Sequence, residues 1–238
     1  MTDERVIVAL DFNRFEEAKA CVEEIGEAVS FYKVGMELYY AAGNDIVRYL
    51  KDKGKRVFVD LKLHDIPNTV GRALAVLTGL GADILNVHAS GGARMMREAA
   101  QSVRQASETL GVPAPKLIAV TVLTSMGEDD LAGVGVRKPV AEQVVSLAEL
   151  ARSCGIDGVV ASALEAPALR QACGPDFLIV TPGVRPAGAA AGDQRRVTTP
   201  GQAFAAGATH IVVGRPVTQA ADRKKAALAI IEETLRSA

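Results

Sequence analysis

The chain has 238 residues, 49% hydrophobic and 23% charged, the make-up of a globular protein with a substantial core. Its 27 basic and 28 acidic residues leave a formal net charge of −1, and aromatics are only 4%. That balance, with no Lys/Arg-rich run, predicts neither a nucleic-acid nor a membrane partner.

The N-terminal "MTDERVIVALDF" has an apolar run too short for a signal peptide and acids where a positive region should stand. No stretch approaches the ~20 apolar residues that cross a bilayer. Cys21, Cys154 and Cys173 are odd in number and scattered, which suits a reducing cytoplasm and gives no disulfide or zinc-ligand spacing. His64, His88 and His210 are equally dispersed, so no metal site is expected. His88 and His210 read as hydrogen-bonding structural residues, and His64 as a support to its neighbours.

Taken in chain order, short β-branched runs alternate with amphipathic stretches about eight times. The predicted strands are 5–11, 31–36, 56–62, 83–89, 116–124, 158–162, 177–183 and 210–215. Helical patterns lie between them, as in "FEEAKACVEEIGE", "VGRALAVLTGL" and "VAEQVVSLAELARSCG". Continuous apolar strands imply a parallel sheet covered by helices. Repeated βα units leave an open doubly wound sheet or a closed barrel. Eight units without a linker favour an α/β fold of one domain over 1–238, a (β/α)8 TIM barrel with its active site at the C-terminal strand ends. Two connections are long, "SMGEDDLAGVGVRKP" after the fifth strand and "RPAGAAAGDQRRVTTP" after the seventh. Long loops on that face are often functional lids.

The third strand, "RVFVDLKLHD", carries Asp60, Lys62 and then Asp65 where a buried strand should be apolar. Strand alternation puts Asp60 and Lys62 on one face, roughly 6.6 Å apart. At an effective dielectric near 20, such charges attract by about 2 kcal/mol. Read alone, the pattern fits a structural ion pair as well as a reactive site. A Schiff-base lysine would need burial or neighbouring cations, and these carboxylates work the other way. Lys62 therefore reads as a lasting cation and proton donor. Pro67, just past Asp65, is placed to open a helix. Asp11 ends the first strand and Lys33 lies inside the second, so both could extend the pair into an alternating charge array.

"TPGVRPAG" ends the seventh strand with Gly183 and Arg185, and "VVGRPV" ends the eighth with Gly214 and Arg215. In such barrels the loops after strands seven and eight are the usual phosphate site. Glycine admits backbone N–H groups and arginine offers bidentate hydrogen bonds. A phosphorylated small molecule is the expected ligand, with Gln194 a further polar contact from the loop.

"DLKLHDIPNT" resembles the D-x-K-x-x-D-I-P-x-T signature of the orotidine 5′-phosphate decarboxylase family. The likeness continues through "ALD", "KVG", "NVHASGG", "VTVLTSM", "TPGVR", "DQRRVTTP" and "VVGRP". It implies cofactor-independent decarboxylation of orotidine 5′-phosphate to UMP in pyrimidine biosynthesis, with no metal and no cofactor. It also implies that Lys62 protonates C6 and that Lys33, Asp60, Lys62 and Asp65 form the charge array. Asp65 and Thr69 would reach across the interface of a homodimer. Asp11 and Lys33 would bind the ribose, and Thr124 the pyrimidine amide edge. Arg185, Gln194, Gly214 and Arg215 would hold the phosphate. Related sugar-phosphate enzymes share D-x-K-x-x-D and use magnesium, but the "HDIPNT" continuation and the long "RPAG" loop depart from them. A barrel that only binds a nucleotide or phosphate is a third reading, disfavoured by an intact Lys62 between two acids.

Overall fold

The computed structural model describes residues 2–186 and 198–236. Its strands are β1 (Val6–Ala9), β2 (Phe31–Gly35), β3 (Arg56–Leu63), β4 (Ile84–His88), β5 (Lys116–Val120), β6 (Gly158–Val160), β7 (Leu178–Thr181) and β8 (His210–Val213). All pair in parallel with their sequence neighbours, and β8 returns to β1, closing an eight-stranded barrel. The first five helices are α1 (Phe15–Ile25), α2 (Met36–Ala42), α3 (Asp45–Asp52), α4 (Pro67–Gly79) and α5 (Gly92–Leu110). They are followed by α6 (Glu128–Gly133), α7 (Val140–Ser153) and α8 (Ala166–Cys173). The chain ends with α9 (Pro200–Ala205), α10 (Arg215–Thr218) and α11 (Arg223–Arg236). Among the described residues no helix is long and apolar enough to cross a membrane.

Strand periodicity divides the core into two layers. Residues such as Val8, Val34, Val59, Leu85 and Ile211 face outward and pack under the helices. Ile7, Phe31, Phe58, Ile84, Ile118, Val180 and Val212 face inward and fill the barrel. Two residues further along the same inward faces, Phe31 gives way to Lys33, Phe58 to Asp60 and Ile84 to Asn86. The barrel is thus apolar at its N-terminal end and charged at the other, where the loops open.

Seven of the eight strands are shorter than their apolar runs suggest, and β3 runs one residue further, to Leu63. The run 5–11 yields only Val6–Ala9, and 116–124 only Lys116–Val120, because the last residues leave the ladder to form the rim. The connection after β5 contains α6, whose start is fixed by Asp130 accepting the Gly127 N–H at 2.8 Å. Three acids in that first turn suit a helix N-terminus. Pro67 does open α4, as its position predicts. The ends of the connection after β7 are tied together, with Val184 bridging Thr198 and the Arg185 N–H donating to the Thr198 carbonyl at 3.0 Å. Gln194 lies outside the described residues.

His210, at the closed end of the barrel, meets Phe31 edge-on with ring centroids 6.1 Å apart. Burial, helped by the Arg56 cation, pushes its pKa down to about 4. A histidine held neutral in this way stabilises the fold above its unfolded value of 6.5, and loses that effect as pH falls from there towards 4. Between pH 7 and 4 the protein should therefore lose up to about 3 kcal/mol more stability than a His210→Asn variant. Urea unfolding at both pH values checks this, and equal losses would contradict it.

Candidate active site

Asp60 is the centre of the site. It is 7% exposed, and its two oxygens are shared among three donors. Oδ1 accepts from the Lys62 ammonium and from the Asn86 amide, each at 2.7 Å, while Oδ2 lies 3.3 Å from Lys33 Nζ. Lys33 also donates to Asp11 Oδ1 at 3.3 Å, so the order Asp11–Lys33–Asp60–Lys62 is the alternating array expected from the strand ends. Burial would raise the Asp60 carboxyl, but Lys33, Lys62 and the hydrogen bonds of Lys62 and Asn86 hold it below the usual range. Burial would likewise lower Lys33, and the carboxylates of Asp60 and Asp11 outweigh it and raise the pKa.

Lys62 has an unusual backbone. Its φ of 52° makes it the one non-glycine residue with positive φ among those described. For an L-residue with a Cβ this conformation costs about 1–2 kcal/mol. It arises at an irregularity: β3 takes four steps from Val59 to Leu63 while β4 takes two from Leu85 to Val87. Such a bulge re-aims side chains beside functional sites. Here it turns the lysine back over the barrel mouth towards Asp60.

Two adjoining cavities meet at this array. The larger, about 400 Å³, is lined by Asp11, Lys33 and Asp60 and by Gly183, Arg185, Gly214 and Arg215. The smaller, about 160 Å³, is lined by Lys62, Thr124 and a largely apolar wall that includes Val122, Val160 and Val180. Lys33, Asp60, Pro182 and Val212 belong to both. Gly183 has φ 75°, a turn a side chain would strain, and it brings the chain from β7 to Arg185. Arg185 is buried, and its Nε has no hydrogen-bond partner among the described residues. Burial and the neighbouring Arg215 guanidinium push its pKa down, so two like charges face one cavity. An anion there would relieve both.

Asp65 and Thr69 stand apart. Both are exposed on the rim at the start of α4 and line neither cavity. Asp65 Oδ1 accepts the Ile66 N–H at 2.6 Å. Asn86 is the site residue that sequence reasoning passed over, taken as part of an apolar strand. Its signal was register: Val59 pairs with Leu85, which sets Asn86 beside Asp60 on the inward face. His64 lies against His88 with ring centroids 5.6 Å apart, and burial, then His64 and Lys62, lower the His88 pKa.

Removing the Asp60 carboxylate would leave two partly buried ammonium groups without their shared anion. Asp60→Ala should cost about 2–4 kcal/mol of folding stability, below the loss for a fully buried pair because Lys62 is part-exposed. Denaturant unfolding at pH 7 reads this, and a change under about 0.5 kcal/mol, the size of an ordinary surface substitution, would show the array to be energetically slack.

The family model described as "Orotidine 5'-phosphate decarboxylase / HUMPS family" matches residues 4–230. The chain is 51% identical to an orotidine 5'-phosphate decarboxylase of Moorella thermoacetica over 97% of its own length and 92% of the relative's. It is 50% identical to the same enzyme of Photobacterium profundum, covering 99% and 100% of the two chains. A crystal structure of orotidine 5'-phosphate decarboxylase from Lactobacillus acidophilus superposes with a TM-score of 0.85 at 44% identity, covering 98% of this chain and 99% of that one. By its fold, its charged barrel mouth and these matches, the chain belongs to the orotidine 5'-phosphate decarboxylase / HUMPS family.

Proposed function

We propose that this protein decarboxylates orotidine 5′-phosphate to UMP, with no cofactor and with Lys62 as the proton donor. The observation that carries this reading is the position of the Asp11–Lys33–Asp60–Lys62 array, at the junction of an arginine-lined cavity and an apolar cavity bearing Thr124. The phosphate belongs with Arg185, Gly214 and Arg215, to which Gln194 would add from its loop. The ribose lies along Asp11 and Lys33, and the pyrimidine in the smaller cavity with its amide edge on Thr124. C6 then faces the Lys62 ammonium.

In the reaction the C6–carboxylate bond breaks, CO₂ leaves, and the electron pair stays on C6 with no adjacent carbonyl to spread it. An ammonium about 3.5 Å away stabilises that charge by about 5 kcal/mol at an effective dielectric near 20, and the part that exceeds its attraction to the substrate carboxylate appears as rate, at about 1.4 kcal/mol per decade. The same ammonium then gives its proton to C6 and is recharged from water. Asp60, held ionised, keeps the ammonium in place. Lys33 bridges Asp11 and Asp60, so neither carboxylate is laid out as a cation-binding pair, which disfavours the magnesium-dependent sugar-phosphate chemistry of the wider family.

We also read the protein as a homodimer in which Asp65 and Thr69 complete the site of the neighbouring subunit. They lie beside Ile66, 65% exposed, at the start of α4, whose later turns line a largely apolar groove against α5 with Ala75, Val76, Ala106 and Leu110. Asp65 so placed would stand beside the departing carboxylate. Three buried free cysteines support a cytoplasmic location, and the whole span 1–238 is read as one domain.

Incubation of the purified protein with orotidine 5′-phosphate in EDTA, followed by UV absorbance, tests the activity. Turnover that vanishes with chelation would favour the magnesium-dependent alternative, and a Lys62→Ala variant as fast as wild type would remove the lysine from the chemistry. Arg215→Ala should lower kcat/KM by about 2–4 kcal/mol, roughly 30- to 1,000-fold, with the fold intact. Normal kinetics in that variant would displace the phosphate from this cavity. Heterodimers of Lys62→Ala and Asp65→Ala subunits should regain activity that neither parent has. No recovery in verified heterodimers would argue against shared sites.

A further inference from the structure

We propose that Asn86 is a positioning residue of the reaction: its one side chain both holds the Lys62 backbone in the left-handed region and fixes the Asp60 carboxylate that aims the lysine. This deepens the decarboxylase reading and rests on it. Asn86 is 2% exposed and spends both ends of its amide on the site. Its Oδ1 accepts the Lys62 N–H at 2.8 Å, and its Nδ2 donates to Asp60 Oδ1 at 2.7 Å. The amide can point only this way, because a carboxylate needs a donor and a backbone N–H needs an acceptor.

The geometry explains why an asparagine is required there. The bulge between Val59 and Leu63 breaks the ladder to β4, so the Lys62 N–H cannot find a backbone carbonyl at the regular spacing. The Asn86 carbonyl takes that place, and a buried N–H left unpaired would drive the backbone out of this conformation. The same amide occupies Asp60 Oδ1 beside the Lys62 ammonium, which leaves Oδ2 for Lys33. Asn86 lines neither cavity, so its effect on substrate passes through Lys62 and Asp60.

Asn86→Ala should lower kcat by about 100-fold, the cost of misplacing a reacting group by about an ångström, with KM changed by less than about threefold. Asn86→Asp keeps the acceptor for the Lys62 N–H but sets a carboxyl against Asp60, and only its protonated form can donate. Its neighbours are Asp60, Lys62 and Lys33 from β3 and β2, and His88 and His64 behind them. Its kcat relative to wild type should therefore rise as pH falls from about 8 to about 5. A purely structural role would lower the amount of folded enzyme and show no such trend. A wild-type kcat in folded Asn86→Ala, or a pH-independent ratio in Asn86→Asp, would overturn the proposal. A crystal structure of either variant decides it without activity: Lys62 should leave positive φ in Asn86→Ala, and its persistence there would also overturn the proposal. Should wild type itself fail to turn over orotidine 5′-phosphate, the decarboxylase reading falls while this crystallographic arm still decides the positioning.

Discussion

One buried carboxylate organises the open end of this barrel. Asp60 is surrounded by two ammonium groups and an amide, and taking its charge out of water is tolerable only because all three donate to it or lie against it. Each partner comes from a different place: Lys33 from β2, Lys62 from within the bulge in β3 and Asn86 from β4. The three strands must keep their parallel register for the group to exist. The apolar layer of Phe31, Phe58 and Ile84 directly beneath it supplies that register. Packing below and charge above are thus two levels of one construction along the same inward faces.

The conformational strain at Lys62 belongs to this construction. A lysine on a regular strand end would continue the pleat, whereas the bulge bends it back over the mouth. Strained backbone of this kind persists only where the surroundings over-determine it. Here the ion pair to Asp60 and the hydrogen bond from the Lys62 N–H act from opposite ends of the residue.

Much of this was legible in the sequence because it rests on local rules. Alternating apolar runs and amphipathic stretches give eight βα units, and a doubly buried strand that ends in Asp60 and Lys62 stands out as an exception that asks for a reason. Gly183–Arg185 and Gly214–Arg215 could be placed together because consecutive strands of such a barrel are neighbours and their following loops open on the same face. Other features depend on long-range register, which no local pattern encodes. Asn86 looks unremarkable within "DILNVHA" until β4 is set against β3, and the positive φ of Lys62 follows from a mismatch between two strands. Strand ends were overestimated for the opposite reason, since rim residues such as Val122 stay buried and apolar after leaving the ladder.

Positive charge is unevenly placed along the mouth, and this has a kinetic meaning. Asp11, Lys33, Asp60 and Lys62 sum to zero formal charge, while Arg185 and Arg215 add two positive charges to the lining of the larger cavity. Among the described residues, formal charge is therefore more positive towards Arg185 and Arg215 than at the array. A ligand with a phosphate dianion at one terminus and a singly charged carboxylate on its ring would be turned phosphate-first towards the arginines by that field. Such orientation during approach depends on how the arginines of strands seven and eight are set against the array of strands one to three, and so on the circumference that eight strands impose.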